Sequence, residues 1–276
     1  MTLSSHRKRI LTGVLLLAFV AFTLWMGGWL LRAVILLVSS LALYEFLTMY
    51  WPAKVYLGRK ILGLLLGALV VLSQYVDALW TLAAVCLCFM IIGMIFLYEF
   101  GSGKGEARLG HYSPILHGLF YIPLALQLAF YLSPAEQCLI LLAAVASDTG
   151  GYYGGSWFGK RKLWPAVSPK KTWAGFYGGM LLCVLLCLFM GLLTLSFDLR
   201  MLRIPIWGWI FIGLVLHQAA LFGDLFESAV KRTLNIKDSG TLLPGHGGVL
   251  DRIDSLLFVL PAYMILKLLV RILQGS

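Results

Sequence analysis

Charge is what this sequence has least of. Asp, Glu, Lys and Arg make up 12% of its 276 residues, against 61% hydrophobic residues and a mean hydropathy of +0.90. A water-soluble domain of this length has no use for so much apolar surface, so that class is excluded. The five cysteines (Cys86, Cys88, Cys138, Cys183 and Cys187) lie in or at the edge of apolar runs, away from the histidines. Their spacing fits neither a disulfide framework nor a zinc site, and they read as small buried hydrophobes. No G-x-x-x-x-G-K-[ST] motif occurs, which removes the usual nucleoside-triphosphate cradle. No small-residue cleavage site separates the His-Arg-Lys-Arg start from the second apolar run, so the first run reads as an uncleaved span rather than a signal peptide.

Long apolar runs are what the chain has in abundance. A helix crossing the hydrocarbon core needs about 20 apolar residues, and nine segments answer to that, at 10–26, 29–50, 61–76, 79–98, 115–132, 137–154, 173–196, 206–228 and 250–272. The expected fold class is an all-α polytopic membrane protein of about nine transmembrane helices. A net charge of +10 would suggest nucleic acid in a soluble protein; here its distribution is a topology signal, and no nucleic-acid partner is expected. Of the 22 Lys and Arg, 17 fall before the first span or in the alternate loops around 54–60, 104–108, 160–171 and 231–252. The remainder are Arg32, Arg200, Arg203, Lys267 and Arg271. The positive-inside rule then puts the N-terminus and the most charged loops in the cytoplasm and the C-terminus on the opposite side.

No linker divides the chain, so residues 1–276 are expected to form a single integral membrane domain. Residues 1–132 read mainly as scaffold helices, and 133–276 as the helices and cytoplasmic loops that carry the site. Glu45 and Glu99 recur in a Tyr-Glu-Phe context, an echo too short to establish a repeat, and read as carboxylates at the cytosolic interface.

Four constellations in the second half carry chemistry. Asp148 lies toward the end of an apolar span, where a carboxylate costs at least ~2.5 kcal/mol at the helix centre and must face a polar cavity, a cation or another helix. The neighbouring Gly150, Gly151, Gly154 and Gly155 fit helix packing as well as ligand approach. Ser168-Pro169-Lys170-Lys171-Thr172 places two ammonium groups and two hydroxyls just ahead of a span, an anion site of the helix N-terminal kind. Asp224 and Glu227 share a helix face with Lys231 one turn on, and Asp251 and Asp254 repeat the three-residue spacing. Together Asp224, Asp251 and Asp254 offer the oxygen ligands that a hard cation such as Mg2+ takes. Pro244-Gly245-His246-Gly247-Gly248 supplies a turn whose backbone amides suit anionic oxygens, with His246 placed for phosphate contact or proton transfer. His217, inside a span, reads as a satisfied buried histidine.

The stretch Ser228–Asp254 resembles the signature of the phosphatidate cytidylyltransferases (CDP-diacylglycerol synthases). It runs Ser228, Lys231-Arg232, Lys237-Asp238, Gly240, Pro244-Gly245-His246-Gly247-Gly248 and Asp251-Arg252-Ile253-Asp254. Ser147-Asp148, Phe158-Gly159-Lys160 and Ser168-Pro169-Lys170-Lys171-Thr172-Trp173 with Gly175 are similar to an upstream block of the same family. Gly151 departs from the alanine expected at that position in many relatives, which puts none of the implied catalytic residues in doubt. The resemblance implies transfer of the cytidylyl group from CTP to phosphatidate, giving CDP-diacylglycerol and pyrophosphate with Mg2+, in a one- or two-ion site. It implies Asp224, Asp251 and Asp254 as metal ligands, Lys231 and His246 beside them in catalysis, and Lys170, Lys171, Lys231 and Arg232 on the triphosphate. Ser168, Gly247 and Gly248 would approach the nucleotide, and Asp148 either the metal or the nucleotide. The expected partners are CTP, phosphatidate from the bilayer and membrane lipids, with a homodimer left open. A compact chain with a short N-terminus points to a bacterial inner membrane, with the active site facing the cytoplasm. The rivals are a CTP-dependent lipid kinase of the polyprenol type and a secondary transporter using Asp148. A CDP-alcohol phosphotransferase is set aside because its D-G-x-x-A-R motif is missing.

Overall fold

The structure is a computed structural model that describes residues 18–51, 56–75, 77–102, 109–197, 199, 201–240 and 247–275. Six described helical segments are long and apolar enough to cross a membrane: Gly28–Tyr50, Ala78–Gly101, Ser113–Tyr131, Trp173–Phe197, Ile206–Thr233 and Leu250–Gln274. They coincide with six of the nine predicted spans. The run at 61–76 falls in a helix of 17 residues, Leu57–Ser73. The run at 137–154 falls in the 25-residue helix Pro134–Phe158, which Glu136, Gln137, Asp148 and a glycine series make more polar than the six. Of the run at 10–26, residues 18–26 are helical and the rest lies outside the described residues. The chain is a helical membrane protein.

It divides into two compact units. The first comprises Arg32–Phe130 and the loop Ser239–Leu250. Its helices are α1 (Gly28–Tyr50), α2 (Leu57–Ser73), α3 (Ala78–Gly101), α4 (Ser113–Tyr121) and the single turn α5 (Pro123–Leu126). Pro123 lacks an N–H and interrupts the last pair, which continues as a 3-10 turn to Tyr131. Leucines of α1 pack into glycine gaps of α2: a Cβ on Gly63 would lie 2.6 Å from Leu47 Cδ1, and one on Gly67 the same distance from Leu43 Cδ2. Small residues that admit a neighbour this closely are the usual helix interface in a bilayer, where burial from water drives nothing. Arg59 joins α2 to α3 through Glu99 at 3.2 Å and stacks its guanidinium over Tyr112, 4.9 Å from the ring centroid.

The second unit comprises Tyr131–Asp238 and Asp251–Ser276 with the residues up to Leu31. It contains α6 (Pro134–Phe158), β1 (Lys162–Trp164), β2 (Ser168–Thr172), α7 (Trp173–Phe197), α8 (Ile206–Thr233), α9 (Leu250–Ile253, from its second residue) and α10 (Leu256–Gln274). Ser133 caps α6 in a capping box with Glu136. The glycine series is a packing seam: a Cβ on Gly178 would sit 2.6 Å from Gly150 O, and one on Gly175 the same distance from Gly151 O. Backbone therefore meets backbone between α6 and α7.

The antiparallel pair β1–β2, with Lys162 opposite Thr172 and Trp164 opposite Ser168, qualifies the all-α expectation. Pro165 and Pro169 explain it, because each pushes the residue before it, Trp164 and Ser168, toward extended backbone. Ser168–Thr172 is thus a strand running into α7 rather than a helix N-terminus. Thr172 makes the transition, its Oγ1 accepting the Gly175 N–H at 3.1 Å.

Candidate active site

In the second unit the C-terminal half of α6, the β1–β2 pair, the first turn of α7 and the middle of α8 line a pocket of about 280 Å³. Asp148, Lys170, Lys171 and Asp224 line it together with Ser147 and His217, flanked by Tyr152 and Phe176. Lys171 Nζ is 2.7 Å from Asp224 Oδ2, and Ser228 Oγ donates to Asp224 Oδ1 at 3.3 Å. Ser147 Oγ and His217 Nδ1 are 2.9 Å apart, and both residues are buried. Asp148 is exposed in the wall of this pocket, beside Lys170, Lys171 and Asp224, which gives a carboxylate on an apolar helix polar neighbours.

Beyond Asp224, α8 runs on to Thr233, five residues past the predicted span, and carries Glu227 and Lys231 on the same face. Lys231 Nζ sits between two acids, 2.7 Å from Asp251 Oδ1 and 3.1 Å from Glu227 Oε2, the latter off the hydrogen-bonding direction. Gly223 makes the arrangement possible: a Cβ there would lie 2.5 Å from Asp254 O, so the backbone of α8 lies directly against the chain at Asp254–Ser255. Asp254 Oδ1 accepts the Ser255 N–H at 2.7 Å.

These carboxylates feel one another in a continuous series, Asp148 with Asp224, Asp224 with Asp254, Asp254 with Glu227, and Glu227 with Asp251. Lys171 and Lys231 are the ammonium groups ion-paired to them. Five acids thus share two ion-paired lysines, and Lys170 stands in the same pocket wall as Lys171. An all-oxygen, anionic donor set fits a hard divalent cation in kind. Among the described residues, no three His, Cys, Asp or Glu side chains stand close enough to enclose an ion, and Asp224 and Asp251 are each paired with a lysine.

The structure brings Asp148, Lys170, Lys171 and Asp224 into one pocket, and Lys231, Asp251 and Asp254 into the adjoining acid cluster of the same unit. Ser168, half-buried at the start of β2, is not among the pocket-lining residues. Arg232 is exposed at the end of α8. His246 lies outside the described residues. Gly247, with φ of +80°, and the buried Gly248 belong to the first unit. Sequence reasoning passed over Glu227 as a site residue, although its spacing to Asp224 and Lys231 was in view; it is 1% exposed and central to the acid series. It also passed over Tyr152 and Phe176 in the pocket wall, where aromatic residues near a membrane carried no distinguishing signal.

Fold and pocket together define the class, a polytopic helical membrane protein with a mixed-charge pocket suited in kind to phosphate groups. The chain belongs to the cytidylyltransferase family, which it matches over residues 7–270. It is 33% identical over 267 residues to the phosphatidate cytidylyltransferase of Staphylococcus epidermidis, covering 94% of this chain and 98% of that protein. The phosphatidate cytidylyltransferase of Bacillus subtilis is 33% identical over 273 residues, covering 95% and 98% respectively. That of Staphylococcus aureus is 37% identical over 195 residues, covering 70% of this chain and 60% of its own length.

Proposed function

We propose that the protein transfers the cytidylyl group of CTP to phosphatidate, giving CDP-diacylglycerol and pyrophosphate for phospholipid synthesis. The observation that carries this is the pair of lysines, Lys171 and Lys231, each held at 2.7 Å by a carboxylate at one end of a membrane bundle. Triphosphate oxygens are stronger partners for ammonium groups than single carboxylates. Their arrival would draw the lysines away and leave Asp224 and Asp251 free to join Asp254 around a cation. Asp224, Asp251 and Asp254 would hold Mg2+, which when bound neutralises phosphate charge and aligns the reacting oxygens.

An anionic oxygen of the lipid phosphate forms a bond to the α-phosphorus of CTP while the bond from that phosphorus to the β-phosphate oxygen breaks in line. The nucleophile is already ionised, so no general base is needed and positioning dominates. Lys170 and Lys171 take the β- and γ-phosphates, and with Lys231 they stabilise the charge that collects on departing pyrophosphate. Asp148, exposed in the same pocket, faces the nucleotide or the metal.

The pocket faces the cytoplasm of a bacterial inner membrane, in a nine-span chain whose N-terminus is inside. Charge supports that reading: Lys170, Lys171, Lys231 and Arg252 gather around the pocket end. Arg203, Lys267 and Arg271 gather at the other, where Gln274 Nε2 donates to Arg203 O at 2.8 Å.

The test is a turnover assay on purified protein with phosphatidate and CTP labelled separately at the α- and γ-phosphates. Alpha label entering the lipid, with γ label leaving as pyrophosphate, is the expected result. Gamma label entering the lipid would overturn the proposal in favour of a CTP-dependent lipid kinase.

A further inference from the structure

Glu45 occupies an unusual place for an acid on an apolar helix. It is 3% exposed near the C-terminal end of α1, and no Lys or Arg is ion-paired to it among the described residues. Its neighbours are both described flanks of the loop that carries the Pro-Gly-His-Gly-Gly sequence, in the same unit. Oε2 accepts the backbone N–H of Leu250 at 2.8 Å and lies 3.5 Å from Ser239 Oγ. On one flank, a Cβ on Gly240 would meet Glu45 alone, 2.5 Å from Oε1, 2.8 Å from Cδ and 3.0 Å from Cγ. On the other, a Cβ on Gly248 would lie 2.6 Å from Oε2 and would also strike Ser239 Oγ. Two glycines are therefore required not by their backbone angles but by a carboxylate wedged between them.

We infer that Glu45 is a positioning residue: its carboxylate clamps Ser239–Gly240 and Gly248–Leu250 together and so sets the backbone conformation in which the Gly247 and Gly248 amides are offered to phosphate oxygens. This rests on the cytidylyltransferase reading. A buried carboxylate is costly unless its oxygens are used; here Oε2 carries that use, local and specific, while Oε1 has no hydrogen-bond partner among the described residues. Leu250 is the first residue of the short helix Leu250–Ile253, so its N–H has no partner within that helix and needs one from elsewhere. Glu45 supplies it from about 200 residues away in sequence, a separation of 205. The interaction depends on an acceptor oxygen of the right reach rather than on charge.

The experiment compares Glu45→Ala, Glu45→Gln, Gly240→Ala and the double variant Glu45→Asp with Gly240→Ala, in detergent and with both substrates varied. Glu45→Ala is expected to raise KM for CTP and lower kcat/KM for CTP by about 10²-fold, the scale of a 1 Å misplacement, with KM for phosphatidate unchanged. Glu45→Gln keeps a carbonyl acceptor of the same reach and is expected within about fivefold of wild type. Gly240→Ala should behave like Glu45→Ala, and shortening the acid by one methylene in the double variant should recover at least tenfold of that loss. Hydrogen exchange of the peptide spanning 247–251 should rise in Glu45→Ala and Gly240→Ala and fall back in the double variant. A Glu45→Ala protein whose KM for CTP and loop exchange both match wild type overturns the clamp. So does a double variant no better than Gly240→Ala. Wild-type protein that transfers no cytidylyl group would sink the parent reading instead, and the exchange data would still decide whether Glu45 holds the loop.

Discussion

The first turn of α6 and its middle place acids in opposite situations, one buried and one exposed. At its first turn, Glu136 is 2% exposed and fully answered: Lys267 Nζ at 2.6 Å, Tyr263 OH at 3.1 Å and the Ser133 N–H at 2.7 Å all donate to it. Lys267 also donates to Tyr131 O at 3.1 Å. Twelve residues on, about 18 Å along the helix, Asp148 belongs to a series of five acids with two ion-paired lysines. One acid is balanced within the fold, whereas the others crowd one another around shared lysines. The balanced pair ties α6 to α10, and the unbalanced cluster is where the proposed reaction would place its substrate and cation. Deeply placed ionisable residues in a membrane protein mark function mainly where the protein has not already neutralised them.

The sharpest way to break this comparison is at the unbalanced cluster. Asp251→Asn and Asp254→Asn each replace a charge with an amide whose carbonyl keeps an acceptor for the Lys231 ammonium and the Ser255 N–H, so both variants should remain monodisperse in detergent with a thermal midpoint close to wild type. Turnover should fall by more than about 10³-fold, the scale of losing a principal electrostatic contribution to the transition state. Activity within tenfold of wild type in either variant would remove that residue from the catalytic group.

Lys171→Ala comes next in size. It frees Asp224, with which Lys171 pairs at 2.7 Å, and deletes a phosphate partner. We expect kcat/KM for CTP to fall by about 10²-fold, one to two charge-assisted hydrogen bonds' worth, with KM for phosphatidate changed less than threefold. Ser168→Ala, at a position that β2 keeps out of the pocket lining, should stay within about threefold of wild type for both substrates. An equal response to the two substrates in Lys171→Ala would mean that the lysine supports the fold and not the nucleotide.

Much of the unbalanced cluster was legible in the sequence because its information is local. The spacing of Asp224, Glu227 and Lys231 follows from helical periodicity, and an acid in an apolar span announces its cost. The apolar runs likewise marked six long spans at nearly their observed ends. What escaped was set by contacts distant in sequence or by backbone chemistry hidden in a charged loop. Glu45 read as an interfacial carboxylate because its partners, Ser239 to Leu250, lie nearly two hundred residues away. The hairpin escaped because five residues ending in Lys-Lys-Thr before a span look like a helix start, and only Pro165 and Pro169 argued for extended chain. The Glu136–Lys267 pair escaped for the same reason as Glu45: its partners are 131 residues apart, and nothing local to either points to the other.

That pair provides the smallest expected effect on activity and the control for the whole comparison. Lys267→Met leaves Glu136 buried without its cation, and removing one partner of a buried pair destabilises by about 3–5 kcal/mol. Thermal unfolding in detergent should show that loss as a lowered midpoint, while kcat/KM measured well below the midpoint should stay within about twofold of wild type. Adding Glu136→Gln removes the stranded charge yet keeps an acceptor for Tyr263, so the double variant should recover most of the midpoint. A double variant as unstable as Lys267→Met alone would mean that the stabilisation comes from packing of the lysine stem. A loss of turnover beyond tenfold at low temperature would mean that the balanced pair is coupled to the chemistry, and the distinction between answered and unanswered charge would fail for this fold.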